Sequence, residues 1–147
     1  MDINHSFYVL QNKIRQTLTV DQFKLKQILN HIKKLNSKDQ SDQLQNLEKK
    51  IRISIDKVSA RKETIPHLKI PKSLPIADKQ SDIIEAIENN QVVVITGETG
   101  SGKTTQIPKL CLKAGRGVLG KIGCTQPRRI AATSLARQVA KEMNTTL

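Results

Sequence analysis

The residues best suited to chemistry form a glycine-rich segment that ends in a lysine and a threonine. Residues 97–104 read GETGSGKT and match the pattern GxxxxGK[ST], between an apolar run and a helical pattern. Glycines let successive backbone N–H groups point toward one phosphate group, and the lysine adds positive charge. The pattern predicts a loop that binds the phosphates of ATP or another nucleoside triphosphate together with Mg²⁺. The candidate nucleotide-binding residues are Gly97, Glu98, Thr99, Gly100, Ser101, Gly102, Lys103, Thr104 and Thr105, with Thr104 as the metal ligand.

A second candidate site is a basic turn at residues 125–129, which read TQPRR before another helical pattern. Two arginines and the free N–H groups of a helix start can bind an anion. A single nucleic-acid strand could lay its backbone there. The alternative is a solvated helix start, which is the commoner context of an Arg-Arg pair. The candidate RNA-binding residues are Thr125, Gln126, Pro127, Arg128 and Arg129.

Alternating helices and strands are expected to position both sites. The β-branched run at 91–96 is typical of a strand buried on both faces of a parallel sheet. A second strand is predicted at 118–125, and helices are predicted at 78–90, 103–114 and 128–143. Strand, helix, strand in this order predicts an α/β domain with right-handed parallel crossovers over residues 76–147.

The N-terminal part has a different pattern. Apolar residues recur at helical spacing over 7–35 and again over 41–58. Two helices with a short link predict an α-helical hairpin, so residues 1–63 are expected to form a helical extension. Residues 64–75 contain three prolines, which favour extended geometry and predict a linker.

The chain is strongly basic, with 25 Lys and Arg against 13 Asp and Glu and a net charge of +12. Residues 1–75 contribute +8 (15 basic and 7 acidic) and residues 76–147 contribute +4 (10 and 6). Such a surface attracts nucleic acids and acidic membranes alike. A solvated helical face rich in lysine is the alternative interpretation.

Several classes of protein are disfavoured. Cys111 and Cys124 match no zinc-binding pattern and no small disulfide scaffold, and reduced thiols are expected. No stretch approaches the ~18 apolar residues of a membrane span. The N-terminus has no signal-peptide pattern. We therefore expect a cytoplasmic protein without a membrane partner, and the sequence indicates no particular protein partner.

The two motifs occur together as GETGSGKTTQIPKL and TQPRRIAATSLARQVAKEM. In this order they resemble the first two helicase motifs of the DEAH-box RNA helicases, most closely their bacterial HrpA-type members. The resemblance implies the start of a RecA-like P-loop domain. It also implies NTP hydrolysis coupled to movement along single-stranded RNA and to strand separation. By the same resemblance, 97–105 meet the nucleotide phosphates and Mg²⁺, and 125–129 meet the RNA backbone.

The sequence departs from that family in two respects. Gln138 stands where the family often has an arginine that stacks on the base, so Arg137 is only a candidate for that role. The larger departure is the absence of the family's later motifs. Nothing in it matches the DEAH tetrad, the SAT motif or a second motor domain, and the only acidic residue after Thr104 is Glu142. We expect the ATP-binding N-terminal part of a helicase that is inactive by itself. The alternative is a non-catalytic module that binds RNA or a partner and retains a vestigial phosphate loop. A small P-loop kinase is a third hypothesis, disfavoured by the TQPRR turn.

Overall fold

A computed structural model describes residues 3–35 and 37–147, which divide into two compact units. The first unit consists of the described residues up to 64 together with 118–120, and the second consists of 65–117 and 121–147. No helix among these residues combines the length and apolar character needed to cross a membrane.

The first unit contains three described helices that pack on one another. They are α1 (Ile3–Ile14), α2 (Thr19–Ile32) and α3 (Ser37–Glu63). Apolar residues at three- and four-residue spacing give each helix one buried face, because 3.6 residues make one turn. The core of the unit is Phe7, Leu10, Ile14, Leu25, Leu29, Ile32, Leu47 and Ile51.

The predicted helical hairpin is wrong, because a break at residues 15–18 divides its first helix into α1 and α2. The Thr17 hydroxyl donates a hydrogen bond to the Ile14 carbonyl at 2.7 Å and satisfies an acceptor at the end of α1. The Leu18 N–H, just before α2, donates to the Ser54 hydroxyl on α3 at 3.1 Å. A local bond and a bond to a side chain 36 residues away therefore both stabilise the break.

The second unit is built from a short 3₁₀ helix and three α-helices. The 3₁₀ helix is Pro75–Lys79, followed by α4 (Gln80–Asn89), α5 (Lys103–Lys113) and α6 (Arg129–Glu142). Helix α5 lies against both α4 and α6. The buried core of the second unit consists of Ile76, Ile83 and Leu110, against which further apolar side chains pack.

The predicted α/β, RecA-like fold is contradicted, because the described residues contain no strand and no sheet. A strand requires a neighbour that satisfies its backbone N–H and C=O groups, and the backbone at 91–96 makes no such bonds. Val92 and Val94 are 79% and 84% exposed, whereas Val93 and Ile95 are half-buried. This run therefore packs through one face, whereas the prediction required two buried faces.

The second predicted strand, at 118–125, is also absent. Its first three residues belong to the first unit, where the Leu119 carbonyl accepts a hydrogen bond from the Thr19 N–H at 2.7 Å. The remaining residues belong to the second unit. A single hydrogen bond does not make a ladder, and no further backbone hydrogen bond joins 118–125 to another segment among the described residues, so the segment is not a strand.

Candidate functional site

The glycine-rich loop is held in a conformation that only glycine adopts without strain. Gly100 has φ +85° and Gly102 has φ +91°, both in the left-handed region. Gly102 immediately precedes α5. A Cβ atom at Gly102 would lie 2.9 Å from Leu74 Cδ1 and 3.2 Å from Ile76 Cγ2, so the loop is also closely packed from below. The Ile76 N–H donates to the Ser101 carbonyl at 3.2 Å and fixes the loop to the 3₁₀ helix.

The side chain of Lys103 folds back over this loop. Its ammonium group donates to the carbonyl oxygens of Gly97 and Glu98, both at 2.6 Å, and to the Ser101 hydroxyl at 3.1 Å. Three oxygen acceptors from the loop thus hold one positive charge at its centre.

The loop and the start of α5 present amide groups that have no acceptor within the described protein. The N–H groups of Gly100, Gly102, Lys103 and Thr104 make no backbone hydrogen bond, whereas that of Ser101 donates to the Glu98 carbonyl at 3.3 Å. Free N–H groups at the start of a helix coincide with the positive end of its dipole. The segment therefore offers several donors and one cation to a negatively charged ligand.

The two threonines after Lys103 differ in their contacts. The Thr105 hydroxyl donates to the Gly102 carbonyl at 3.3 Å and accepts from the Gln106 amide at 2.9 Å. Thr104 is exposed, and its hydroxyl makes no hydrogen bond to any residue that the structure describes. Thr104 is therefore the threonine whose oxygen is available to a cation.

A cavity of about 640 Å³ opens beside the loop, within the second unit. One end is polar and is formed by the loop residues from Thr96 to Ser101 and by Lys103. Its other walls are mostly apolar and come from the 3₁₀ helix, α4 and the segment at 93–95. These wall residues are Pro75, Ile76, Lys79, Asp82, Ile83, Ala86, Val93, Val94 and Ile95.

The basic turn at 125–129 lies at the start of α6. Arg128 immediately precedes the helix and Arg129 is its first residue, and the first turn contains no acidic residue. Both arginines are exposed, and neither forms an ion pair with a carboxylate among residues 3–35 and 37–147. No hydrogen bond connects this turn to the glycine-rich loop within the same ranges.

Comparison with known proteins identifies relatives of this chain. It is 40% identical over 141 residues to the ATP-dependent RNA helicase HrpA of Escherichia coli, an alignment that covers 95% of this chain and 11% of that protein. The HrpA homolog of Haemophilus influenzae is 38% identical over 151 residues, covering 99% of this chain and 12% of the relative. The chain is a homologue of the HrpA-type RNA helicases.

A further relative is the ATP-dependent RNA helicase DHX33 of Drosophila melanogaster. It is 53% identical over 76 residues, which cover 52% of this chain and 11% of that protein. No family model matches the chain. The chain spans about a tenth of the length of each of these helicases.

The chain also contains a polar cluster that the sequence analysis did not predict, at the contact between α5 and α6. Lys109 Nζ donates to Glu142 Oε2 at 2.6 Å and to the Lys69 carbonyl at 2.8 Å. Gln106 Nε2 also donates to Glu142 Oε2, at 2.9 Å, and Gln138 Nε2 donates to Glu142 Oε1 at 2.8 Å. The sequence contains only a weak signal of this cluster, namely a glutamine at i and a lysine at i+3 on the helical face that also holds Leu110.

Burial of the Glu142 carboxyl opposes its ionisation, but the hydrogen bonds from Lys109, Gln106 and Gln138 outweigh that cost. They lower the pKa of Glu142 to about 2. Glu142 is therefore ionised near neutral pH, and its charge compensates the buried ammonium group of Lys109. The Gln106 side chain is also buried, and its Oε1 has no hydrogen-bond partner within the described parts of the chain.

Proposed function

We propose that this chain is the ATP-binding part of an ATP-dependent RNA helicase. In this proposal, residues 97–105 bind the nucleotide phosphates and Mg²⁺, and residues 125–129 contact the RNA backbone. The observation that supports it most strongly is the loop itself, with its left-handed glycines, its unpaired amides and the Lys103 ammonium group. The names of the relatives supply the reaction class.

The loop residues suit a triphosphate for a simple chemical reason. Phosphate oxygens need several N–H donors from one side, and the amides of Gly100, Gly102, Lys103 and Thr104 are available. The Lys103 ammonium group now contacts the loop carbonyls at 2.6 Å, and a phosphate would give it a fully charged acceptor.

Thr104 is the residue that we assign to the metal ion, since its hydroxyl is exposed and makes no hydrogen bond to the described protein. Bound Mg²⁺ would supply charge neutralisation on the phosphate oxygens. Thr105 is less suitable because its hydroxyl already contacts Gly102 and Gln106. The remaining ligands of the ion would come from the phosphates and water.

We assign the RNA contact to the start of α6. Arg128 and Arg129 are exposed cations without a carboxylate partner among the described residues, and the first amides of α6 are next to them. Such a site recognises phosphate and sugar groups and does not read base identity. The predicted contacts at Thr125, Gln126 and Pro127 belong to the same turn.

Residues 1–147 by themselves are expected to bind nucleotide without hydrolysing it. Hydrolysis requires a carboxylate that holds Mg²⁺ and a group that positions water. The only carboxylate after Thr104 is Glu142, and three side chains already bind it, so it is not free for this task. The alternative proposal, an RNA- or partner-binding module with a vestigial loop, predicts no nucleotide binding at all.

Calorimetric titration of the chain with ATP and Mg²⁺ tests the proposal. The wild type is expected to bind, and Lys103→Ala is expected to lose most of this affinity. Lys121→Ala is the matched control, because it removes an exposed lysine of the same unit outside the loop. If the wild type binds no nucleotide, or if both variants lose affinity equally, the assignment of the loop is wrong. RNA-stimulated turnover that Lys103→Ala abolishes would contradict the expected inactivity.

A further inference from the structure

A shallow groove runs between α2 and α3 in the first unit. Its volume is about 240 Å³. Its lining combines three lysines with a few apolar and hydroxyl side chains. The lining residues are Asp21, Lys24, Leu25, Ile28, Lys50, Ile53, Ser54 and Lys57.

The three lysines of this groove carry uncompensated charge. Lys24, Lys50 and Lys57 are exposed, and none lies within ion-pair distance of a carboxylate among residues 3–35 and 37–147. The one carboxylate of the groove, on Asp21, accepts a hydrogen bond from Ser54 at 2.7 Å. By contrast, Lys13 in the same unit is paired with Glu48 at 2.7 Å. The groove is therefore a local excess of positive charge in a unit that already has many basic residues.

The spacing of the charges along α3 suits a linear polyanion. Lys50 and Lys57 are seven residues apart, which places them on the same side of the helix and ~10 Å apart along its axis. Arg61 lies one turn beyond Lys57 on the same side of α3, ~6 Å along the helix axis, and is also exposed. A nucleic-acid strand in a stacked helix has one phosphate per ~3.4 Å, so the row spans several consecutive phosphates.

We propose that this groove binds the phosphodiester backbone of RNA and does not select bases. The proposal rests on the proposed function, because that function supplies RNA as the polyanion. No aromatic side chain lines the groove, so it lacks a stacking platform for bases. An acidic membrane is the less suitable partner, because the groove offers only Ile53 as an exposed apolar side chain and has no apolar face to insert.

The test uses the full chain and a single-stranded homopolymer RNA, with affinity measured at several salt concentrations. Lys50→Glu/Lys57→Glu is compared with Lys26→Glu/Lys62→Glu. Both double variants change the net charge equally, but Lys26 lies on the opposite side of α2 from Lys24, and Lys62 lies away from Lys57 on α3. The groove variant is expected to weaken binding at least about tenfold. It is also expected to reduce the slope of log binding constant against log salt concentration by about 1.4, or ~0.7 for each lost phosphate contact. The control is expected to stay within about threefold.

The outcomes separate this inference from the proposed function. Equal losses in both double variants, or no loss in the groove variant, overturn the groove proposal. Loss of binding to phosphatidylserine vesicles without loss of RNA binding also overturns it. Arg128→Ala/Arg129→Ala and the ATP titration report separately on the proposed function. Circular dichroism of each variant checks that the helices remain folded. If a glutamate variant unfolds, Lys50→Ala/Lys57→Ala is compared with Lys26→Ala/Lys62→Ala, and a smaller loss of binding is expected for the groove pair alone.

Discussion

The ammonium nitrogen of Lys109 lies 2.6 Å from a carboxylate oxygen of Glu142, and only 1% of the Lys109 side chain is exposed. The pair connects α5, which begins at the phosphate loop, with α6, which begins at the two arginines. Glu142 is 22% exposed, so the two partners are buried unequally. Because of this unequal burial, removing each partner is expected to change the free energy of unfolding by a different amount.

Removal of the carboxylate is expected to destabilise the second unit more than removal of the ammonium group. Glu142→Ala leaves a buried unpaired charge, which costs ~3–5 kcal/mol. Lys109→Met removes that charge and keeps the side-chain volume, while Glu142 retains Gln106, Gln138 and partial contact with water. Thermal unfolding and amide hydrogen exchange of α5 and α6 measure both effects.

The control for this pair is the exposed ion pair between Lys79 and Asp82, whose side chains are both well exposed to solvent. Asp82→Ala is expected to change stability by less than ~1 kcal/mol, because solvent screens such pairs. If Glu142→Ala has an equally small effect, or if Lys109→Met is the more damaging variant, the account of unequal burial is wrong.

The depressed pKa of Glu142 predicts an acid-sensitive contact between α5 and α6. The pKa is lowered from 4.5 to about 2 on folding, so the ionised form stabilises the folded state. This contribution is complete above the unfolded value of 4.5 and is lost as the pH falls from there to about 2. The difference in unfolding free energy between wild type and Glu142→Gln should shrink across that interval. A difference that stays constant from pH 6 to pH 2 would show that Glu142 does not titrate as described.

The glycines of the phosphate loop should respond unequally to alanine. At Gly102 the new Cβ would meet both left-handed strain and contacts of 2.9 to 3.3 Å with Leu74, Ile76 and Gln106. At Gly100 only the strain applies, since nothing lies within 4 Å. We expect Gly100→Ala to cost ~1–2 kcal/mol and Gly102→Ala to cost more and to weaken ATP binding.

Gly123→Ala is the control for this series, because Gly123 has ordinary φ and open space around its Cβ position. Its effect on unfolding is expected to stay within ~0.5 kcal/mol. Denaturant titration and calorimetry give the order of the three variants. If Gly100→Ala proves more damaging to stability than Gly102→Ala, the packing beneath the loop does not limit its conformation.

Local sequence patterns were sufficient to predict the α-helices of the second unit. The α5 and α6 helices were predicted within about one residue of their ends, because each follows a strong signal, the GK[ST] pattern or the proline at 127. The strands were not predictable in the same way. A β-branched run indicates which residues favour extended backbone, but a strand also needs a partner elsewhere in the chain.

The difference between local patterns and tertiary contacts also explains which site residues could be predicted from the sequence and which could not. The loop residues are contiguous, so their pattern is visible in the sequence. The cluster of Gln106, Lys109 and Glu142 is not contiguous and arises only when α5 packs on α6. The break between α1 and α2 likewise includes a hydrogen bond from Leu18 to Ser54, which is far from it in the sequence. Contacts of this kind are tertiary and have no local signal.

Ser54 therefore provides the final prediction. Its buried hydroxyl accepts the Leu18 N–H at 3.1 Å and donates to Asp21 Oδ2 at 2.7 Å, so it holds the start of α2 against α3. Ser54→Ala leaves a buried N–H without an acceptor and should cost ~1–3 kcal/mol in the first unit. Ser59→Ala, on the exposed part of the same helix, should be neutral or slightly stabilising, because alanine favours the helix. Urea unfolding followed by hydrogen exchange at the start of α2 distinguishes the two. Equal stability of both variants would mean that the break between α1 and α2 is fixed by the Thr17 cap alone.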